Sequence, residues 1–518
     1  MEREKKLEQL RDNNEFEIVI IGGGATGLGC AVDAASRGYK TLLLEQADFA
    51  KGTSSRSTKL IHGGVRYLEQ GNIHLVREAL LERGRLLKNV PHVCHKLPFV
   101  VPVYRYRDKF FYGFGLWLYE FLSGKFSLGK TKVLSKKETL DYLPGLNTED
   151  LKGGVLYYDG QFDDSRLAVN LAQTAAEQGA LVLNYFQVVD FEKKDNKVVG
   201  LVAKDVLTDL LFQIKAEVVI NATGVFADAL LQKSEGHVEE TIAPSQGIHL
   251  VLDKSYFENF SAMLIPKTSD GRVLFVVPWY DKLLLGTTDT PMQQVELEPR
   301  PLKEEIDFIV NHFNFYSKVK ISCANLKSVF AGLRPLVKSG SGQKTAVLSR
   351  EHSIKVFPSG VVDVSGGKWT TYRKMAEQTI DKAVQVAHLS FVSGKTKNLK
   401  IHGFAEDKIN SHLAVYGSDA FLIESMMKED VTLAGEIHAS YPYTKAEVVW
   451  AVQKEMALAV EDVLSRRIRL LFLDAQAAME AAPVVAQIMA VQLKKDSLWE
   501  QEQVNAFQKL ARAYIVSF

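Results

Sequence analysis

Cysteine is scarce: the 518-residue chain holds three, Cys30, Cys94 and Cys323. They are too few and too widely spaced for a disulfide framework or a thiolate metal site, and they suit a reducing compartment. Long hydrophobic runs are missing as well. The longest uncharged run, Ile18 to Val32, has 15 residues interrupted by five glycines, short of the ~20 apolar residues that span a bilayer. Attachment to a membrane surface stays open, because an amphipathic or aromatic face leaves no such signature. Charge of one sign is also lacking. Lys plus Arg is 63 and Asp plus Glu is 62, a formal charge of +1, which argues against a nucleic-acid binder that depends on a bulk positive field. Met1 to Asn14 alternates Lys, Glu, Arg and Asp without an apolar stretch, so a secretory signal is not expected. What remains is a composition of 46% hydrophobic and 24% charged residues, typical of folded globular chains, on a length of about three to four domain equivalents.

The first informative stretch reads strand, glycine turn, helix, strand. Phe16 to Ile21 (FEIVII) is a short β-branched run, Gly22, Gly24 and Gly27 follow in GxGxxG spacing, Leu28 to Arg37 has helical character, and Gly38 stops it. Thr41 to Leu44 (TLLL) is a second strand ending in Glu45, 23 positions after Gly22. That order is the signature of a dinucleotide fold. One glycine makes the tight turn, the next admits a pyrophosphate to the backbone, the third lets helix and strand pack, and the acidic residue accepts from a ribose hydroxyl.

A second half is expected near Gln187 to Asp228. Val188 to Phe191 and Val199 to Val202 read as strands, and Glu217 to Ile220 leads into the small-residue turn NATG, Asn221 to Gly224. From Ser245 to Thr290 short alternating runs between Gly and Pro turns predict an antiparallel sheet. Beyond about Asn398 the composition turns helical, with Lys445 to Met479 rich in helix formers. No internal repeat is present.

Several segments carry chemistry rather than core periodicity: SSRSTKLIHGGVRYLE (Ser54 to Glu69), PSQGIH (Pro244 to His249), GTTD (Gly286 to Asp289), AGLRP (Ala331 to Pro335) and VSGGKWTTYRK (Val364 to Lys374). With the opening VIIGGGATGLGCAVDAASRGYKTLLLE they resemble the FAD-dependent glycerol-3-phosphate dehydrogenases, in the family's order from about Phe16 to Tyr372. EDVLSRRIRLLFLD (Glu461 to Asp474) is similar to that family's C-terminal domain. The resemblance implies an α/β (α+β) architecture in three parts. A Rossmann-like FAD-binding domain of the glutathione-reductase/D-amino-acid-oxidase type is expected from residues 1–90, 150–235 and 345–390. An antiparallel-sheet substrate domain would take 91–149 and 236–344, and a helical C-terminal domain 391–518.

The resemblance further implies FAD as cofactor, held non-covalently. Gly22, Gly24, Thr26 and Gly27 would line the pyrophosphate and Glu45 the ribose. Ser54, Ser55, Lys59 and Leu60 would run toward the isoalloxazine, Val188 would lie near the adenine, Ala222 and Gly224 would close over the cofactor, and Gly367, Lys368 and Thr371 would approach the flavin ring. Around the substrate, sn-glycerol 3-phosphate, it places Arg66, Tyr67, His249, Arg334, Arg350 and Lys368. Arginines converging on one pocket suit a phosphate, whose oxygens the guanidinium fork grips by two parallel bonds.

Oxidation at C2 needs a proton acceptor for the hydroxyl and a hydride acceptor, the flavin N5. His249 is the first candidate for general base; Arg334 or Lys368 could instead stabilise a developing alkoxide. His62 ranks second and reads first as a packing residue. His92 and His95 flank Cys94 without further ligands at metal spacing, so no metal is expected. Phe110 to Phe126, aromatic between Lys109 and Lys125, reads by default as core, with a membrane-facing or quinone-access surface as the functional alternative. The family implies quinone as electron acceptor and a cytoplasmic location, peripheral on the inner face of the cell membrane. Against this stand a glycerol-3-phosphate oxidase returning electrons to oxygen, an amine or amino-acid oxidase, and a non-catalytic flavin-fold binding protein. The helical tail is open to homodimerisation or to bracing the flavin domain.

Overall fold

The β-branched run at the start of the glycine motif forms a strand buried on both faces, Glu15–Ile21, at the centre of a sheet. In the computed structural model, which describes residues 1–69, 71–266, 268–269, 271–338, 352–406 and 409–516, it pairs in parallel with Thr41–Leu44 on one side and Leu211–Asn221 on the other. Leu181–Leu183 extends the sheet beyond Thr41–Leu44, and Val362–Gly366 followed by His352–Val356 extends it beyond Leu211–Asn221. The helix after the glycine turn, Ala25–Arg37, ends at Gly38, whose φ of 99° suits glycine. It packs against Asp164–Glu177 and Tyr372–Val386. Parallel pairing leaves both faces of the sheet to be covered, and the helices do so.

A second sheet is built around Ile242–Asp253, which pairs antiparallel with Lys282–Gly286 and with Leu326–Val337. Leu274–Trp279, Ala262–Ile265, Cys94–Val103 and Gly153–Phe162 continue it, antiparallel apart from the parallel contact of Ala262–Ile265 with Cys94–Val103. Gly153–Phe162 and the short strand Leu60–Ile61 belong to this sheet, whereas the boundaries drawn from sequence put both stretches with the nucleotide region. Their cross-strand partners lie far along the chain, and local pattern does not show them.

The tail is helical, but not as one long element. Lys445–Glu455 ends at Met456, a broad turn covers Asp462–Arg467, and Ala475–Leu493 follows. Its apolar residues, Leu471, Phe472 and Val485 among them, share one core with Phe99, Val251 and Phe330 of the second sheet. Its arginines reach the first domain. Asp48 Oδ2 accepts from Arg466 Nε at 2.5 Å and from Arg467 Nη1 at 2.6 Å, all buried. Arg469 Nη2 reaches Asp164 Oδ1 at 3.1 Å. The tail thus braces both domains.

One expectation reverses. Phe110 to Phe126 is not core: Tyr106–Ser123 is a helix whose buried residues are Leu116, Tyr119 and Ser123, while Phe110, Phe111, Phe114, Trp117 and Phe121 are exposed. A sequence this apolar is ordinarily buried all round, and only the tertiary arrangement reveals which face finds no partner.

Candidate active site

A cleft of about 580 Å³ starts at the glycine turn and ends in the second sheet. At its head Gly22 has φ +112°, and a Cβ there would sit 2.5 Å from the Ala222 carbonyl oxygen. Gly24 caps the helix Ala25–Arg37 without a side chain in the way, so the first-turn amides and the positive end of the helix dipole meet the cleft beside Thr26. Gly27 does not line it. A Cβ on Gly27 would come within 1.8 Å of the Gly22 carbonyl oxygen, and its part is the close packing of helix on strand. Glu45, half-buried at the edge of the cleft, accepts from Gly23 N–H at 2.6 Å and Ala47 N–H at 2.9 Å. Burial raises its pKa and these two amides oppose the rise.

Along the cleft follow Val188, Ala222 and Gly224, then Ser54 and Leu60, then Gly367 and Lys368. Ser54 is fixed twice: its hydroxyl accepts from Ala25 N–H at 2.9 Å and its carbonyl from Trp369 Nε1 at 2.9 Å. Three of the expected residues stand behind the wall. Ser55 and Lys59 are buried, and Lys59 Nζ donates to Ser55 O and to Asp164 Oδ2, each at 2.7 Å. Burial pushes Lys59 down to about 7 against the pull of Asp164. Thr371 turns its hydroxyl to the Lys368 carbonyl at 3.3 Å, and its neighbour Thr370 lines the cleft instead.

At the far end His249 sits mid-strand, opposite Gly286 and Phe330 in register. The missing side chain of Gly286 makes room for the ring, since a Cβ would lie 2.3 Å from His249 Cδ2, and Phe330 stacks on it at 5.0 Å. Nε2 pairs with Thr58 Oγ1 at 2.9 Å. Nδ1 is buried with no hydrogen-bond partner among the described residues, a polar atom left for a ligand. Burial, then the positive charges of Lys59 and Arg334, lower the His249 pKa well below its ordinary value, so the imidazole is neutral.

Arg334 comes in from the neighbouring strand. Its guanidinium donates to Thr287 Oγ1 at 2.9 Å and Gln246 O at 3.3 Å and lies 3.5 Å from Asp289 Oδ1. Gly247 is needed beneath it, because a Cβ would stand 2.3 Å from Nη2. Lys368 Nζ rests 3.8 Å from the centre of the Tyr67 ring. The structure therefore brings together His249, Arg334, Lys368 and Tyr67. Arg350 and the side chain of Arg66 lie outside the described residues.

A second cavity of about 950 Å³ opens from the same place, sharing Thr58, Leu60, His62, Tyr67 and Arg334 with the cleft. His62, read first as packing, lines both. Sequence reasoning missed Arg272, which lines the second cavity and donates to the Asp289 carbonyl at 2.7 Å. One Arg after a glycine at a strand start carries no signal; its pairing with the far side of GTTD does. Thr58 was likewise unmarked. Among the described residues no His, Cys, Asp or Glu cluster could hold a metal.

The comparisons agree with this geometry. Residues 17–368 match the FAD dependent oxidoreductase family and residues 361–503 the C-terminal domain of alpha-glycerophosphate oxidase. The mitochondrial glycerol-3-phosphate dehydrogenase of Rattus norvegicus is 39% identical over 97% of this chain and 74% of its own length. That of Saccharomyces cerevisiae is 36% identical over 98% of this chain and 91% of its own. The chain belongs to the FAD-dependent glycerol-3-phosphate dehydrogenase family. A crystal structure of the Bacillus halodurans glycerol-3-phosphate dehydrogenase complexed with FAD superposes with a TM-score of 0.81 at 29% identity, over 99% of this chain and 98% of that one. The family is one of enzymes, and its cofactor is FAD. The residues here fit that cofactor: glycines where a Cβ would fill the cradle, helix amides for the pyrophosphate, Glu45 for the ribose, and Gly367 and Lys368 at the flavin end.

Proposed function

We propose that the enzyme oxidises sn-glycerol 3-phosphate to dihydroxyacetone phosphate and passes the electrons to a quinone. The carrying observation is the junction of cleft and cavity, where the neutral imidazole of His249 and the guanidinium of Arg334 converge. Bound FAD supplies the acceptor for the hydride that leaves C2. The chain supplies the rest. His249 takes the C2 hydroxyl proton, and Arg334 holds the oxygen as it gains negative charge. A low pKa makes free imidazole a weak base, but part of that depression comes from the charge of Arg334. A phosphate dianion brought alongside offsets it, so substrate binding itself raises the basicity of His249. Lys368, fixed over Tyr67, is suited to stabilise negative charge at the flavin end of the cleft.

The second cavity, walled by Phe99, Val101, Leu118 and Phe275, gives an apolar route to the same junction, which suits a quinone. In this reading the enzyme works peripherally at the inner face of the cell membrane.

The test is the visible spectrum of the purified protein, recorded without oxygen before and after glycerol 3-phosphate is added. Bleaching of the flavin bands is expected. Their persistence would overturn the substrate assignment and keep the fold. Restoring the colour with a quinone rather than with oxygen separates the dehydrogenase from an oxidase, which would yield hydrogen peroxide.

A further inference from the structure

Of the loop 57–59, Thr58 alone lines both the cleft and the second cavity. Its neighbours are tied from behind to one buried carboxylate. Asp164 Oδ2 accepts from the Ser57 N–H at 3.1 Å, from the Ser57 hydroxyl at 2.7 Å and from Lys59 Nζ at 2.7 Å. Its Oδ1 accepts from the Ser165 N–H at 2.8 Å and from Arg469 Nη2 of the tail at 3.1 Å. Lys59 has a φ of +62°, a left-handed conformation that a lysine keeps only where its surroundings hold it. Pinned on both sides, Thr58 turns its hydroxyl to His249, with Oγ1 2.9 Å from Nε2.

That contact decides where the imidazole carries its proton. The neutral ring has one N–H to place and one lone pair. On Nδ1, buried with no hydrogen-bond partner among the described residues, an N–H would be stranded, a costlier defect than a bare lone pair. On Nε2 it donates to Thr58 Oγ1. The same contact fixes which way the ring faces. Turning it over about χ2 would set Cε1 in place of Nε2 opposite Thr58, and the hydrogen bond would be lost.

We infer that Thr58 is a positioning residue for the reaction: by accepting from Nε2–H it fixes the tautomer and orientation of His249 in which Nδ1 takes the proton of the C2 hydroxyl. The proton passes from the substrate oxygen to the Nδ1 lone pair as the hydride leaves C2. The imidazolium so formed keeps its other N–H on Thr58. A hydroxyl suits this place better than a carboxylate, because it orients the ring without setting a negative charge beside a pocket meant for a phosphate. The inference rests on the proposed reading of His249 as the base.

The experiment follows, in stopped flow without oxygen, the bleaching of the FAD-loaded enzyme by glycerol 3-phosphate. It compares wild type, Thr58→Val, Thr58→Ser, His249→Gln and the double variant Thr58→Val/His249→Gln, with flavin content and melting temperature measured for each. Thr58→Val keeps the shape and removes the acceptor. It should lower the limiting bleaching rate about 10- to 100-fold, the scale of loss when a group that orients a ligating imidazole is removed, and leave the half-saturating substrate concentration little changed. Thr58→Ser keeps the oxygen and should recover most of the rate. In the His249→Gln background the valine should cost nothing further, since a residue acting through the ring has no ring left to act on. Should Thr58→Val purify without flavin, Thr58→Ala takes its place in the same cycle. An equal loss in both backgrounds, or a serine variant as slow as the valine one, would reduce Thr58 to packing and overturn the inference. So would Thr58→Val matching wild type while His249→Gln is slow, an outcome that keeps His249 as the base. His249→Gln bleaching as fast as wild type would instead bring down the base itself. Heteronuclear NMR of enzyme labelled at the histidine nitrogens, with the His249 signals identified by their loss in His249→Gln, should show Nε2 protonated and Nδ1 bare at neutral pH. The opposite tautomer would overturn the inference.

Discussion

Asp289 lies between two arginines. Arg334 is 3.5 Å from one oxygen, Arg272 is 3.8 Å from the other, and the Ser245 hydroxyl also reaches the first. Arg272 and Arg334 both line the second cavity, and two guanidinium forks on one wall suit the oxygens of a phosphate. Arg272→Ala should therefore raise KM for glycerol 3-phosphate by about 10- to 100-fold, the loss of a charge-assisted contact worth roughly 1.5–3 kcal/mol. The change in kcat should be smaller, flavin content should be unchanged, and Arg272→Lys should recover part of the loss. Steady-state kinetics with inorganic phosphate as competitor check this. An unchanged KM would reduce Arg272 to a brace of the Gly286–Asp289 turn. His249 gives a second expectation. Without substrate its pKa lies well below 6.5 and the neutral form is the active one, so protonation of His249 should put an acid limb in kcat/KM only well below 6.5, and the limb in kcat, read with the phosphate bound, at higher pH than that. A kcat limb no higher than the limb His249 gives to kcat/KM would remove the substrate-raised His249 as the base.

At the scale of elements, the structure ties the start of the tail to the first domain through a histidine. His402 pairs with Asp419 Oδ2 at 2.7 Å and with Glu177 of the helix Asp164–Glu177. Burial disfavours its charge, but the two carboxylates outweigh burial and raise its pKa to about 9. Its contribution is thus fully present below pH 6.5, the unfolded value, and is lost as pH rises through about 9. His402→Gln should lower the melting temperature clearly at pH 6 and little at pH 9.5. Equal losses at both would show that the ring acts by packing alone. None of this pairing was legible in the sequence, because Glu177 and His402, 225 positions apart, meet only once the tail is docked on the first domain. The glycine motif was legible, since Gly22, Gly27 and Glu45 obey steric rules that act within a few tens of residues. His249, Arg334 and Lys368 became readable through resemblance, each being a lone polar residue in a strand or loop. Lys59 was misplaced because a cation inside a hydroxyl-rich loop looks like a ligand-binding residue, and only its burial beside Asp164 and the rings of Trp279, Phe330 and Phe472 shows otherwise. The aromatic helix was misread for the converse reason: hydrophobicity reports what can be buried, not what is.

Across the whole molecule, cofactor and tail share one loop. Residues 45–52 carry Glu45 at the edge of the cleft and Asp48 three positions later, under the tail arginines. Lys51 in the same loop reaches Glu461 of the tail at 2.8 Å. Burial alone would raise the pKa of Asp48, yet Arg467 and Arg466 hold it below the ordinary carboxylate range, so the charge there is set by the tail. Removing one partner of a buried ion pair leaves the other charge without compensation, at about 3–5 kcal/mol. Asp48→Ala takes a carboxylate from two guanidiniums at once, leaving Arg466 with Glu461 and Asp462 and Arg467 with Glu455 alone at 3.7 Å. It should lower the melting temperature, and because the same loop frames the cofactor, it should also purify with less than a full complement of FAD. Added FAD binds only the folded chain and should recover part of the loss, about 2.7 kcal/mol at a hundredfold excess over its Kd. Calorimetry of Asp48→Ala with and without added FAD separates the two roles. A lowered melting temperature with full flavin content would make the tail a brace for the domains alone, whereas loss of both, rescued together, would make it part of how the enzyme keeps its cofactor.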